Sequence, residues 1–200
     1  MIPWKRFWCR FGGPIHVGDD RQGFLTDPEG DFTKAYNPNL STLEQLLNEP
    51  CLILCGDPGI GKSTVVEQAK DALKVSLGEG GRMISLEFRD VPNEIVFAKQ
   101  TFESLNWQQW RSATGKLVLV VDGVDEGLVK IRGFVSWLAA QLRQEPIERL
   151  QVILVCRSAE WPVNEGQQLI SLWGHFEKPP IFECVRCGSA TQNWPLKNGD

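Results

Sequence analysis

Short apolar runs alternate with amphipathic segments along most of the chain. An uninterrupted apolar run of about five residues predicts a strand that is buried on both faces, as in a parallel sheet. The segments between the runs place apolar residues three and four positions apart, which predicts helices. Strands that alternate with helices predict an α/β fold of three layers, in which helices flank a mostly parallel central sheet.

The pattern also gives approximate bounds for these elements. The predicted strands are CLILCG (51–56), RMISLEF (82–88), KLVLVVDG (116–123) and LQVILVCR (150–157), with PIFECV (180–185) as a candidate fifth. The predicted helices are 62–77, 93–105 and 131–144. A short helix is predicted before the first strand, because Ser41 and Glu44 have the spacing of a capping box and Pro50 ends the segment.

The two ends of the chain lack this alternation. Residues 1–39 are rich in Gly, Pro, Asp and Asn, which predicts an irregular lead-in. Residues 183–200 are polar and aperiodic. We therefore expect a lead-in (1–39), one core domain (40–182) and a polar C-terminal tail (183–200).

Composition limits the classes of function. The chain has 200 residues, 42% of them hydrophobic, and a net charge of −4. These values are ordinary for a globular protein. No long basic run is present, so the sequence gives no evidence for nucleic-acid or membrane-surface binding. No apolar stretch approaches the length of a membrane span, which is about 18 residues.

The cysteines favour a reducing environment. Cys51, Cys55 and Cys156 lie in predicted strands, and buried free thiols fit a cytoplasmic protein. Cys184 and Cys187 form a C-x-x-C pair, but a structural zinc site needs four ligands. The other candidate ligands are Cys9, His16 and His175, and no second pair at zinc-ribbon spacing is present. Two ordinary cysteines are the favoured interpretation, and zinc stays open.

The segment after the first predicted strand has a phosphate-binding pattern. Residues 56–63 fit G-x-x-x-x-G-K-[ST] at every fixed position, between a strand and a helix. Glycines allow the backbone N–H groups to turn toward phosphate oxygens, and the helix N-terminus adds positive potential. Lys62 is expected to reach the β- and γ-phosphates, and the Ser63 hydroxyl to bind Mg²⁺. The predicted nucleotide-binding residues are Gly56, Asp57, Pro58, Gly59, Ile60, Gly61, Lys62, Ser63 and Thr64.

Charged residues follow two other predicted strands. Asp122 ends the third strand, where it is expected to join Ser63 in binding Mg²⁺. Asp125 and Glu126 come next, and either is a candidate to orient or deprotonate the attacking water, unless they are merely solvated acids at a helix start. Arg157 follows the fourth strand, where it is a candidate to contact the γ-phosphate or to stabilise transition-state charge. Its alternative is a surface salt bridge.

Three stretches together resemble a known family. GDPGIGKST (56–64), LVLVVDGVDEG (117–127) and VILVCRSAEWP (152–162) are similar to motifs of the NACHT group of STAND-class P-loop ATPases, which are AAA+-like signalling NTPases. The resemblance covers roughly residues 40–162. It implies Mg-ATP binding at the loop, Mg²⁺ coordination through Ser63 and Asp122, and hydrolysis that involves Asp125 or Glu126. The family often has T-S-R where this chain has Cys156-Arg157-Ser158.

The resemblance also implies a cellular role. Members of this family are usually large switch proteins, in which ATP binding drives oligomerisation in immune or anti-phage signalling. A helical lid, a winged helix and a sensor region normally follow the ATPase core. Only about forty residues follow the fourth predicted strand here. The expectation is therefore a truncated product of such a switch, with ATP and Mg²⁺ as cofactors and self-association as a possible partner interaction.

Two other classes of function fit parts of the sequence. A small-molecule kinase fits the chain length, but its arginine-rich lid is missing, since only Arg157 and Arg186 occur after the fourth strand. An interaction module that binds nucleotide without hydrolysis stays open. A GTPase is disfavoured, because no N-K-x-D motif is present and Asp125 stands where D-x-x-G requires glycine. Adenine is therefore the default base.

Overall fold

A computed structural model describes residues 6–13, 39–174 and 179–185. In this part of the chain the strands form one seven-stranded sheet with the order β2-β1-β7-β3-β6-β5-β4. They are β1 (Phe7–Arg10), β2 (Leu40–Ser41), β3 (Cys51–Cys55), β4 (Arg82–Glu87), β5 (Leu117–Asp122), β6 (Leu150–Val155) and β7 (Ile181–Val185). The five strands from β7 to β4 in this order run parallel. Strand β1 pairs antiparallel with both β7 and β2, and the short β2 is an edge strand of the sheet.

Helices cover both faces of this sheet. Those in the described part are α1 (Leu43–Leu46), α2 (Lys62–Leu77), α3 (Glu94–Gln100), α4 (Leu105–Ser112), α5 (Val124–Lys130), α6 (Phe134–Leu142) and α7 (Val163–Ile170). Alternate residues of each strand point to opposite faces, so each strand contributes to two apolar cores. One core joins α1 and α2 to one face of the sheet, and the other joins α3 to α7 to the opposite face. The predicted three-layer α/β architecture is confirmed.

The parallel strands follow from their apolar runs. All five residues of β3 are fully buried, as are the apolar residues of β5. A strand buried on both faces needs apolar side chains at every position, and the sequence shows this directly. The four predicted core strands and the candidate fifth are confirmed, and the helix 62–77 begins and ends where it was predicted.

The N-terminal strand is a correction to the predicted lead-in. Strand β1 lies within residues 1–39, pairs with β7, and completely buries the Trp8 side chain. Four residues are too few to show a period, so its pairing partner determines this strand. Strand β7 also takes in 183–185 of the predicted tail. Residues 1–5, 14–38 and 186–200 of the predicted lead-in and tail lie outside the described residues, and the three-part division of the chain stays a prediction.

Two predicted helices differ from the structure. The first one has its N-cap at Thr42, whose backbone N–H donates to Gln45 Oε1 at 3.0 Å, so the predicted box of Ser41 and Glu44 was one residue early. The predicted helix 93–105 is instead α3 followed by α4. Ser104 separates them because its hydroxyl accepts from the Trp107 N–H at 3.2 Å and begins a new helix.

Candidate nucleotide-binding site

Strand order brings the predicted site residues to one edge of the sheet. Strand β6 lies between β3 and β5, and all three run parallel. The segments that follow their carboxyl ends therefore lie side by side, which is where ligands bind in open α/β sheets. These segments carry the phosphate loop after β3, Arg157 after β6 and the acids that follow β5.

The phosphate loop has the backbone that its glycines predict. Gly59 has a φ of 74° and Gly61 a φ of 90°, a left-handed conformation that residues with a side chain rarely adopt. Gly61 is the N-cap of α2, so the loop passes directly into a helix of 16 residues. The positive end of this helix and the loop N–H groups form a site suited to an anion.

Lys62 is held inside this loop. Its ammonium donates hydrogen bonds to the carbonyl oxygens of Gly56 at 2.6 Å and Asp57 at 3.0 Å. The residue is only 9% exposed. A buried ammonium needs such acceptors, and phosphate oxygens would serve the same donors. The loop thus holds a positive charge where the sequence predicts the nucleotide phosphates.

Ser63 and Asp122 face the same cavity. It has a volume of about 270 Å³ and is also lined by Pro58, Gly59 and Lys62. The Gly123 N–H donates to Asp122 Oδ1 at 2.7 Å and fixes that carboxylate at the end of β5. Hydroxyl and carboxylate oxygens are the ligands that Mg²⁺ prefers.

The oxygen ligands of Ser63 and Asp122 fit a Mg²⁺ ion that is bound together with a nucleotide. In the described part of the chain, no group of three or more His, Cys, Asp or Glu side chains could hold a metal ion. Mg²⁺ typically takes one or two protein ligands and completes its shell with substrate phosphates and water. Ser63 and Asp122, beside a loop that is suited to phosphate, match this pattern.

Asp125 and Arg157 form an ion pair at the cavity wall. Arg157 Nε donates to Asp125 Oδ2 at 2.9 Å, with the two side chains 51% and 12% exposed respectively. Asp125 lies in the first turn of α5, and Arg157 lies two residues after the end of β6. The sequence motifs indicated separate roles for these residues, with Asp125 as a candidate base and Arg157 as a candidate contact to the γ-phosphate. The structure places the two in direct contact.

Glu126 also lines the cavity but has a different partner. Its Oε2 lies 4.0 Å from Lys130 Nζ, one turn along α5. Lys130 Nζ in turn donates to the Phe88 carbonyl after β4. Glu126 is therefore tied to the neighbouring strand end, whereas Asp125 is tied to β6.

Glu87 and Arg89 are two site residues that the sequence analysis missed. Both line the cavity, and they form an ion pair with each other at the end of β4. The available signal was their place at the carboxyl end of β4, where Glu87 is the last strand residue and pairs in register with Asp122 of β5. That signal requires the strand order, which the chain pattern does not give.

Buried thiols lie directly behind the site. Cys55 precedes the phosphate loop, and Cys156 precedes Arg157. Burial, with a smaller contribution from the Asp125 charge, raises the pKa of the Cys156 thiol to about 12. Burial also raises the pKa of Cys55. Cys184 is buried in β7, while Cys187 and both histidines lie outside the described residues.

The site geometry and the fold agree. A glycine-rich loop joins a buried parallel strand to a helix, and an acid from another parallel strand faces its lysine and serine. The chain has a three-layer α/β fold, with a loop of the phosphate-binding pattern at the carboxyl edge of its mostly parallel sheet. No helix of the described part is long and apolar enough to cross a membrane.

Comparison with known proteins adds distant structural similarity. No protein-family model matches the sequence, and no curated protein matches it. The Cdc6p structure from Pyrobaculum aerophilum is 15% identical with a TM-score of 0.43, and the match covers 78% of this chain and 46% of that one. The ORC2 protein of Aeropyrum pernix, in ADPNP–ADP complexes, is 14% identical with a TM-score of 0.39, covering 64% and 40%.

A third solved structure gives a similar result. The Aeropyrum pernix ORC1 protein, in complex with DNA, is 20% identical with a TM-score of 0.39, covering 61% of this chain and 38% of that one. The chain thus spans less than half the length of each of these three structures. The narrower resemblance to NACHT ATPases stays a prediction.

Proposed function

We propose that this chain binds Mg-ATP at residues 56–64 and hydrolyses it slowly. The observation that carries the proposal is the placement of Lys62, Ser63, Asp122 and Arg157 around one cavity at the carboxyl edge of the sheet. Two cations, a helix N-terminus and a pair of oxygen ligands are what a magnesium-bound polyphosphate requires.

The binding roles follow from the contacts. Lys62 is to exchange the carbonyl oxygens of Gly56 and Asp57 for phosphate oxygens. The first-turn N–H groups of α2 supply further donors, because they have no partner within the helix. Ser63 and Asp122 are to hold the Mg²⁺, which neutralises phosphate charge when bound.

Hydrolysis is assigned to the acids at the start of α5. Asp125 is the favoured residue to orient the attacking water, and Glu126 is the alternative. Arg157 forms an ion pair with Asp125, and a γ-phosphate would compete for its guanidinium. Movement of Arg157 to the phosphate would free the Asp125 carboxylate to act on water.

A phosphate-release assay tests this activity. With Mg-ATP we expect slow, steady release that stops when EDTA removes the metal and that is lost in Lys62→Ala. Binding without any release would favour the alternative of a nucleotide-binding interaction module. Release that persists in Lys62→Ala would contradict the assignment of the site.

We further propose a switch role in signalling or defence, in a cytoplasmic setting, with ATP-dependent self-association. Its support is the motif resemblance in residues 56–64, 117–127 and 152–162. Light scattering of the purified chain with Mg-ATP and with Mg-ADP is the direct measurement. A larger mass with ATP alone is expected, and equal masses would count against the switch.

A further inference from the structure

An arginine from the N-terminal end of the chain contacts the phosphate loop. Arg6 Nε donates a hydrogen bond to the Ile60 carbonyl at 2.8 Å, across 54 residues of sequence. The sheet explains how they meet. Phe7, the next residue, pairs with Val185 at the carboxyl end of β7, and β7 runs parallel to β3. Since β1 is antiparallel, its first residue lies at the edge where the phosphate loop begins.

This hydrogen bond restricts the orientation of one peptide group in the loop. The carbonyl of Ile60 and the N–H of Gly61 belong to the same planar trans peptide and point in opposite directions. Arg6 holds the carbonyl on its own side, so the Gly61 N–H points away from Arg6. In a loop of this pattern, backbone N–H groups are the donors that surround the phosphates.

Gly61 also makes room for the arginine. A Cβ atom at this position would collide with the Arg6 guanidinium. Its φ of 90° already favours glycine, so the residue meets two requirements at once. The guanidinium therefore packs directly against the last loop residue before Lys62 and adds a positive charge beside the N-terminus of α2.

We propose that Arg6 is a positioning residue of the phosphate loop. It sets the Ile60–Gly61 peptide so that the Gly61 N–H faces the nucleotide phosphates, and it couples the order of β1 to nucleotide affinity. This inference rests on the proposed nucleotide-binding function. It assigns to the N-terminal strand a role in the site that the sequence motifs do not include.

Arg10 is a matched control, because it is the last residue of β1, whereas Arg6 immediately precedes the first residue of that strand. Arg10 Nη1 donates to the Pro179 carbonyl at 3.0 Å, and its guanidinium lies 4.9 Å from the centre of the Phe182 ring. Both arginines thus fasten the N-terminal strand to backbone carbonyls of other segments. Of these two contacts, only that of Arg6 reaches the phosphate loop, so a general loosening of β1 should affect both variants alike.

The test combines two measurements on wild type, Arg6→Ala, Arg6→Lys and Arg10→Ala. Calorimetric titration with Mg-ADP and Mg-ATP gives nucleotide affinity, and the Gly61 amide signal of nucleotide-free protein gives the loop conformation by NMR. We expect Arg6→Ala to lower the affinity for both nucleotides about tenfold, which is the size of effect expected from the loss of one charged hydrogen bond. Arg6→Lys should recover part of this loss. The nucleotide affinity of Arg10→Ala should stay within about twofold of the wild-type value.

The Gly61 amide signal should move in Arg6→Ala and stay in place in Arg10→Ala. Normal wild-type binding with equal affinities for Arg6→Ala and Arg10→Ala would overturn the inference alone. A wild type that binds neither nucleotide would overturn the proposed function and this inference with it. If Arg6→Ala does not fold, Arg6→Lys is compared with Arg10→Lys by the same two criteria.

Discussion

At the scale of single residues, the cationic side chains of the site are paired with protein oxygen atoms that nucleotide phosphates can replace. Lys62 donates to two loop carbonyls, and Arg157 donates to Asp125. The Arg157 side chain is half exposed, so this ion pair contributes at most about 1 kcal/mol to stability. Arg157 can therefore turn to phosphate oxygens at little cost, whereas the buried Lys62 ammonium must exchange its carbonyl acceptors for phosphate oxygens.

A double substitution at the acids separates binding from turnover. In Asp125→Asn with Glu126→Gln, we expect Mg-ATP binding to be retained, because neither residue is a proposed ligand of phosphate or Mg²⁺ and the loss of the Asp125 charge leaves Arg157 available to the γ-phosphate. Turnover should fall by about two to four orders of magnitude with the loss of the general base. The measurements are calorimetry and phosphate release, with each single variant as a control. Turnover that survives both changes would place the water-activating group elsewhere.

The sequence locates residues that lie close to strand ends more readily than their neighbours in the sheet. Lys62, Ser63 and Asp122 line one cavity, because each of them lies at a fixed offset from a strand end, and their functional roles stay predictions. Glu87 and Arg6 escaped prediction, since their contacts depend on which strands are adjacent. Strand order is a property of the folded sheet, and no local pattern encodes it.

At the scale of elements, helix propensity and capping explain most boundaries. The long helix α2 was predictable from its period and from the glycines at 61 and 78. The split between α3 and α4 depended on the Ser104 cap, which sits within an otherwise helical pattern. The strand β1 depended on its pairing with β7. Local signals therefore predicted the long helix α2 and the buried strands, whereas the short helices α5 and α7 were not predicted.

The C-terminal end of α4 gives a prediction at this scale. Arg149 Nη1 donates to the carbonyls of Trp110 at 3.3 Å, Ala113 at 2.7 Å and Gly115 at 3.0 Å. Arg149→Ala leaves these acceptors without that donor and should lower the free energy of unfolding by about 2 kcal/mol. Urea unfolding measures the change, with the exposed Arg143→Ala as the control.

Arg149 lies at the amino edge of the sheet, just before β6 and away from the nucleotide site. Nucleotide affinity of the folded Arg149→Ala protein should therefore match wild type. Equal urea midpoints for Arg149→Ala and Arg143→Ala would show that the carbonyl contacts contribute nothing measurable to stability.

At the scale of the whole molecule, two apolar cores enclose the central strands. Their thiols report on this enclosure, because Cys51, Cys55 and Cys156 are at most 1% exposed. The pKa of Cys156 is raised to about 12 by burial first and by Asp125 second, so its reactive thiolate is scarce in the folded protein. We predict that these thiols resist alkylation at pH 8 until the chain unfolds.

The raised thiol pKa also determines how the stability of the folded protein changes with pH. Unfolded thiols lose their protons near their ordinary pKa of about 9, while the buried thiols keep theirs. The unfolded state then binds fewer protons, so stability should fall as the pH rises above about 9.

Mass spectrometry of alkylated peptides, with urea-unfolded protein as the control, measures the protection of the thiols from alkylation. Rapid labelling of Cys156 in the folded chain would contradict the burial of the strand ends.

The central claim is that residues 56–64 form a working nucleotide site, and calorimetric titration tests it most directly. Mg-ATP, Mg-ADP and Mg-GTP are titrated into the wild type and into Lys62→Ala. We predict that the adenine nucleotides bind in preference to GTP, and that Lys62→Ala weakens them at least tenfold by removing a charged contact. Affinity that is unchanged in Lys62→Ala, or a folded wild type that binds none of the three nucleotides, would contradict the account.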